Sequence, residues 1–335
     1  MLALGKLLEL TLAGREPSEK IQVCASGARL QWKVEGVLVI DPPAGRDSGV
    51  DLLLSAGIHG DETAPVELLE RLLHDIANCR LVPAVRLLLV LGNPAALRRG
   101  ERYVEYDLNR LFGGREPSAS GADALRAVEL GLQVELFFSQ SGRRRLHYDL
   151  HAATRPSAVG PFALRPYSAQ PPQRAQLARL QASGVQALLL HSEPSATFSA
   201  FTSECFAAEA FALELGQARP LGHNAEVDLG RTELWLRTLI EGRDPASAGD
   251  PAALQLFRCS RQMIKYSDAF RLYLGETVAN FAELVPGSLL AEDAEGLCWL
   301  VEEPGARIVF PNPRVAEGQR AGLIVVPVAL DAVCV

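Results

Sequence analysis

Between residues 50 and about 245, short apolar runs alternate with stretches of helical period, and no other feature narrows the fold as much. Residues 50–56, VDLLLSA, form an apolar run of the kind found in a strand buried on both faces. Residues 63–77 follow with Val66, Leu69, Leu72, Leu73 and Ile76 at helical spacing. VRLLLVL at 85–91 gives a second buried strand, closed by Gly92, Asn93 and Pro94. Further on, 122–138 has helical spacing, 145–150 returns to strand, and 161–166 reads as another. A polar helix over 171–183, strands at 185–191 and 210–216, and a helix over 227–241 complete the series. Alternation of this kind predicts a three-layer α/β domain with a mixed, largely parallel sheet.

The flanks read differently. Residues 1–48 form a β-rich segment, in which RLQWKVEGVLVI leads into the turn DPPAGRDSG. The α/β domain spans 49–245, and EGRDPASAGDP at 241–251 is dense in turn formers. Residues 252–335 carry short Val-, Leu- and Ile-rich stretches at 268–274, 287–291, 298–302, 307–310 and 322–330, set between Gly, Pro and Asn. That is the pattern of a small C-terminal β domain.

Charge and cysteine usage exclude several function classes. A net charge of −7 argues against a nucleic-acid-binding surface, which calls for a basic stripe. The first residues, MLALGKLLELTLAG, are interrupted by Lys6 and Glu9 and lack a small-residue cleavage site, so they do not read as a targeting signal. The sequence has no uncharged apolar window of eighteen residues, so neither a membrane span nor a membrane partner is expected, and the protein is expected to be soluble. The six cysteines lie more than four residues apart, which excludes a CxxC knuckle and suits a reduced, cytoplasmic protein. A homo-oligomer is compatible with all of this.

The sequence holds six histidines, and their positions differ sharply in chemical promise. His59 and Glu62 lie in SAGIHGDETAP, directly after the first buried strand, where ligands bind in open α/β sheets. Three residues apart on a glycine-containing turn, they can present a nitrogen and an oxygen to one ion. The competing reading is a solvated loop in which His59 caps the helix and Glu62 favours its N-terminus. His151, at the end of the strand LHYDLHAA, supplies a third ligand from another strand end. Two His and one Glu with an open fourth position make a catalytic zinc set, one ion per chain, since a structural zinc is closed by four protein ligands. His147 is the best rival ligand, but strand rise puts it about 13 Å from His151, and it reads as structural. His74 reads as an ordinary surface or core residue, His191 has no partner at ligand spacing, and His223 could line the site.

Glu214 is the lone charge inside the apolar strand AFALELG, and such a residue is either paired or employed near the ion. It is the leading candidate for a general base; the alternative is a pair with Arg219, and Glu204 and Glu209 are nearby substitutes. The segment NPAALRRGERYVEYDLNRLF at 93–112 gathers Arg98, Arg99, Arg102, Asn109 and Arg110 in an acidic protein. Guanidinium forks suit carboxylates. Arg98 and Arg99 read as a solvated run, whereas Arg102, Asn109 and Arg110 read as a grip on a small di- or tricarboxylate substrate.

SAGIHGDETAP, GNPAALRRGERYVEYDLNRLF, YDLHAATR and FALELGQARPLG together resemble the aspartoacylase/succinylglutamate desuccinylase family of the zinc carboxypeptidase-like superfamily. VFPNPRVAEGQRAGLIVVP is similar to the family's C-terminal β domain. The resemblance implies zinc on His59, Glu62 and His151, activation of water by Glu214, and substrate contacts from Arg102, Asn109 and Arg110. It also implies hydrolysis of N-succinylglutamate to succinate and glutamate, the last step of arginine breakdown by the succinyltransferase route. Competing expectations are another N-acyl amino acid amidohydrolase, such as an aspartoacylase-like enzyme, and a metal-free binding module for an acidic metabolite. The chain departs from the family after His151, where it reads ATRPSAVGPFA without a further histidine, so a contact from Arg155 does not carry over.

Overall fold

The apolar runs become strands of one large sheet in the structure, a computed structural model that describes residues 3–114 and 120–334. The N-terminal stretch, of which Met1 and Leu2 lie outside the described residues, forms the short helix α1 (Leu7–Leu12), with Leu4 and Leu7 buried. Strands β1 (Ile21–Val23), β2 (Arg29–Val34) and β3 (Val37–Asp41) follow as an antiparallel meander. Next come β4 (Val50–Ala56), α2 (Thr63–Ala77), β5 (Arg86–Leu91), α3 (Pro94–Arg99), α4 (Ala122–Phe137) and β6 (Arg144–Ala153). The second half of the α/β region holds β7 (Phe162–Arg165), α5 (Arg174–Ala182), β8 (Ala187–Leu190), α6 (Phe198–Phe206), β9 (Glu209–Gln217) and α7 (Gly230–Ile240).

The sheet is mixed. β5, β4, β6 and β9 run parallel, β3 joins β5 antiparallel, and β7 runs antiparallel to β9 but parallel to β8. Along β4 successive side chains face opposite ways, as the pleat requires. Leu52, Leu54 and Ala56 join the core beneath α2, α5 and α7, while Leu53 joins the core beneath α4 and α6. Helices therefore cover both faces, and the three layers expected from the alternation are present. Each fully buried leucine here contributes about 1.5–3 kcal/mol of burial.

The C-terminal region does not stand apart from this sheet. It contains β10 (Gln255–Ile264), β11 (Arg271–Leu272), β12 (Ala282–Glu283), β13 (Leu289–Glu292), β14 (Cys298–Leu300), β15 (Arg307–Val309), β16 (Arg320–Pro327) and the terminal α8 (Leu330–Val333). β10 lies parallel to β8 and antiparallel to β16, so the main sheet continues through β16 and β15 to β12. β11, β13 and β14 make a separate small sheet. The stretch 268–274, expected as strand, pairs only over Arg271–Leu272. Strand β10 has no counterpart in the sequence reading. Among the described residues, no helix is long and apolar enough to cross a membrane.

Candidate active site

The loop after β4 is shaped by close packing. A side chain at Gly60 would meet the backbone of Ala96 and Leu97 at 2.2 and 2.3 Å, so only glycine lets this loop lie against α3. α3 is itself fixed by its sequence: the Asn93 side chain accepts from Ala96 N at 3.1 Å, Pro94 opens the helix and Gly100 closes it in the left-handed region. Asn93 Nδ2 also donates to Asp123 Oδ1 at 2.7 Å, and Asp123 Oδ2 accepts from the backbone of Glu105 and Tyr106. The chain from Arg102 to Asp107 is thereby ordered and leads back to the loop.

His59, Glu62 and His151 converge as the sequence suggests, each no more than 4% exposed. Their candidate ligand atoms all lie within 4.8 Å of one another. Glu62 occupies the N-cap of α2 but makes no capping bond. Its two oxygens instead lie 2.8 Å from His59 Nδ1 and 2.8 Å from His151 Nδ1. Arg102 Nη1 donates to Oε1 at 2.9 Å and the backbone N–H of Ala152 to Oε2 at 3.0 Å. The outer nitrogens of both imidazoles are also held by carboxylates. His59 Nε2 meets Asp107 Oδ1 at 3.0 Å and His151 Nε2 meets Asp149 Oδ2 at 2.9 Å.

Electrostatics follow from this mutual pairing. Burial works against the His151 imidazolium, but Asp149 and Glu62 outweigh it and hold its pKa well above the ordinary value. Burial likewise opposes His59, yet Glu62 and Asp107 raise it. Glu62 is held well below the usual carboxylate range: burial pushes it up, and the two histidines overcome that. Two nitrogens and a carboxylate facing inward, with carboxylates behind both imidazoles, fit a divalent cation; outer partners of this kind orient imidazole ligands.

Glu214 lies beside this group. It is paired across β6 and β9 with His151, and the register shifts immediately afterwards, where Gly216 adopts φ of +101°. Glu214 Oε2 is sealed from solvent and has no hydrogen-bond partner among the described residues. Burial and the neighbouring Glu62 carboxylate push its pKa up to about 7. Arg219, the alternative partner, binds Glu226 at 2.9 Å instead. Glu209 is engaged by Arg144 and Arg179 on the far part of β9. His223 lines a depression with Gln217, Ala218, Arg219 and Pro220, just past the end of β9.

The arginine segment separates into two groups. Arg98 donates to Thr11 O and Glu35, away from the metal-ligand group, and Arg99 is largely exposed. Arg102 is drawn in by Glu62. Asn109 spends its side-chain oxygen on Phe198 N at 2.8 Å, so only its Nδ2 can serve a ligand. Arg110 Nη1 donates to Asn109 O at 2.9 Å, and its Nη2 lies 3.9 Å from Asp107 Oδ2. One cation has no counterpart in the sequence reading: Arg320, at the start of β16. Burial and the repulsion of Arg110 push its pKa down to about 9, and no hydrogen bond or ion pair holds its side chain among the described residues. Burial, Arg320 and Arg110 together press His191 down to about 3. Arg155 is occupied elsewhere, donating to Glu276 O and Val278 O of the C-terminal region.

Comparison with known proteins is decisive here. The profile of the succinylglutamate desuccinylase/aspartoacylase catalytic domain matches residues 48–240, and that of the family's barrel-sandwich hybrid domain matches 252–328. The chain belongs to this family. The succinylglutamate desuccinylase of Pseudomonas aeruginosa (strain UCBPP-PA14) is 57% identical over 332 residues, covering 98% of this chain and 100% of its own length. The structure also resembles the crystal structure of the Vibrio parahaemolyticus protein of that name, with a TM-score of 0.88, 32% identity and coverage of 96% and 95% of the two chains. That of Chromobacterium violaceum superposes with a TM-score of 0.82 at 37% identity, over 97% and 98%. This chain is therefore an amide hydrolase, with a buried His–Glu–His group able to hold a metal.

Asp107, Asp149 and Arg320 are absent from the sequence reading. Two left a signal: Asp149 lies two residues before His151, hence on the same strand face, and Asp107 lies two before Asn109. Arg320 left none.

Proposed function

We infer that this enzyme hydrolyses N-succinyl-L-glutamate to succinate and L-glutamate, using one zinc ion held by His59, Glu62 and His151. The observation that carries the reaction is Glu214: a sealed carboxylate oxygen with no protein partner, next to a convergent His–Glu–His group. The substrate rests on the 57% identity to enzymes of that name. On this reading the reaction closes arginine breakdown through the succinyltransferase route, in the cytoplasm, as the resemblance of the sequence motifs implies.

Zinc in this ligand set would supply a Lewis acid and lower the pKa of water at the site. Glu214, poised near neutrality, takes a proton from the attacking water and passes it to the departing glutamate nitrogen. Arg102, turned inward by Glu62, holds the amide carbonyl oxygen and offsets the negative charge that grows there. Arg110, Arg320 and the free amide of Asn109 hold the substrate carboxylates; a half-buried guanidinium with no protein partner is suited to an anionic ligand.

The test is a parallel assay of the zinc-loaded protein on N-succinyl-L-glutamate and N-acetyl-L-aspartate. A kcat/KM at least about 100-fold higher for the succinyl substrate is expected. The reverse preference would overturn the substrate, and no turnover of either by metal-loaded protein would overturn the reaction.

A further inference from the structure

Behind His151 runs a buried chain of hydrogen bonds that the reaction does not use directly. His147, Asp149 and His151 alternate along β6 and so share one face of the sheet. Ser55 of β4 is paired with Asp149 and donates to its Oδ1 at 2.6 Å. His147 Nε2 lies 2.9 Å from Ser55 Oγ, and His147 Nδ1 lies 2.7 Å from Thr202 Oγ1 on α6. Ser55, His147, Asp149 and Thr202 are all fully buried, so water cannot take over any of these bonds.

Counting protons fixes the direction of every link. Asp149, with the Ser55 hydroxyl at 2.6 Å from one oxygen and His151 Nε2 at 2.9 Å from the other, accepts at both. The single Ser55 proton therefore goes to Oδ1, and His151 Nε2–H goes to Oδ2. Ser55 Oγ is left as an acceptor for His147 Nε2–H. His147, kept neutral by burial, then offers a bare Nδ1 to the Thr202 hydroxyl. The hydroxyl has Ser199 O as an alternative acceptor at 3.0 Å, longer than the 2.7 Å to His147. Thr202, His147 and Ser55 thus form a one-way relay ending on Asp149, whose other oxygen takes the His151 Nε2 proton and leaves Nδ1, the nitrogen that faces Glu62, as the one to bind a metal.

We propose that Ser55 and His147 are positioning residues for His151, acting through Asp149 to fix the tautomer and orientation in which its Nδ1 binds metal. This rests on the reading of His151 as a ligand. It gives His147 a role four residues away from the ligand, in the buried layer beneath α6. The arrangement extends the usual carboxylate support of a metal-bound imidazole by two further members.

Metal affinity, rather than turnover, tests it. Co2+ and Zn2+ binding would be measured by chelator competition, with the visible spectrum of the Co2+ protein and the Tm of the metal-free protein alongside. In a protein whose metal binding is lost in His151→Ala, Ser55→Ala and His147→Phe are expected to weaken binding about 10–100-fold and to alter the Co2+ spectrum. The double variant Ser55→Ala/Asp149→Asn should bind no more weakly than Asp149→Asn alone, because Ser55 acts only through that carboxylate. His147→Phe keeps the ring that packs edge-on against Phe198, and carries the test if Ser55→Ala does not fold. Unchanged affinity and spectrum in both single variants, or fully additive losses in the double variant, would overturn the proposal. Metal binding indifferent to His151→Ala would overturn the ligand assignment, and this proposal with it.

Discussion

At Glu214, burial and a second carboxylate both oppose the charge that the proposed chemistry needs at neutral pH. Replacing it with Gln should lower kcat by about 10²–10⁴-fold while leaving the metal content of the purified protein unchanged. Loss of metal together with activity would point instead to a structural role. The same substitution tests the electrostatics in metal-free protein. The folded-state pKa is raised from 4.5 to about 7, so the stability this group contributes is whole below about pH 4.5 and disappears as pH rises through 7. Glu214→Gln escapes that loss. Its Tm advantage over wild type should therefore grow between pH 5 and pH 8, and an advantage constant with pH would contradict the assignment. His59, Glu62 and His151 were legible in the sequence because each stands at the carboxyl end of an apolar strand, where a charged or ring-bearing residue is conspicuous. Asp149 was legible only through its two-residue spacing from His151, and Asp107 hardly at all, since it stands 48 residues from His59 and meets it only in the fold.

Helix α6 shows why some elements escaped the sequence reading while carrying part of the site. FSAFTSECF lacks a helical apolar period, and its start is marked only by Thr197, whose hydroxyl accepts from Ala200 N at 3.2 Å. Packing of Phe198 against Phe112 and His147 places it. Strand β10 escaped for a related reason: Arg258, Arg261 and Gln262 interrupt its apolar residues. By contrast β4, β5 and α2 were legible to within a residue, because they are buried along most of their length and their periods are clean. The tie between α6 and the site is Asn109, whose side-chain oxygen holds Phe198 N. Asn109→Asp keeps that acceptor but removes the amide donor and adds a negative charge. It should leave Tm within a few degrees of wild type, yet raise KM for a dicarboxylate by about 10-fold or more, since like charges in a binding site cost several kcal/mol. A variant that melts far lower with unchanged KM would make Asn109 purely structural.

On the scale of the whole molecule, the turn-rich stretch 241–251 lies between the two matched family domains, and one sheet runs across it. β10 extends the sheet from β8, and Phe162, Leu164, Ala187 and Leu189 pack in one cluster with Phe257, Phe281, Leu323 and Val325. The loop after His151 is also pinned across the boundary, through Arg155 to Glu276 and Val278 and through Ala158 N to Asn280 O at 2.9 Å. The C-terminal region reaches the proposed substrate site through Arg320. If Arg320 holds a substrate carboxylate alike in ground and transition states, Arg320→Met should raise KM about 10–100-fold with kcat little changed. A chain cut after residue 250 meets a harsher test. It would leave β8 as an open, apolar edge and strip the cover from Phe162 and Leu189, a combination that invites edge-to-edge association. The cut also frees the loop that follows His151, a proposed metal ligand. Such a fragment should aggregate on expression or, where recovered, melt without a sharp transition and bind metal weakly. A monomeric, cooperatively folding fragment with wild-type metal affinity would show that the α/β region carries the metal site alone, and that the shared cluster is an interface rather than part of one core.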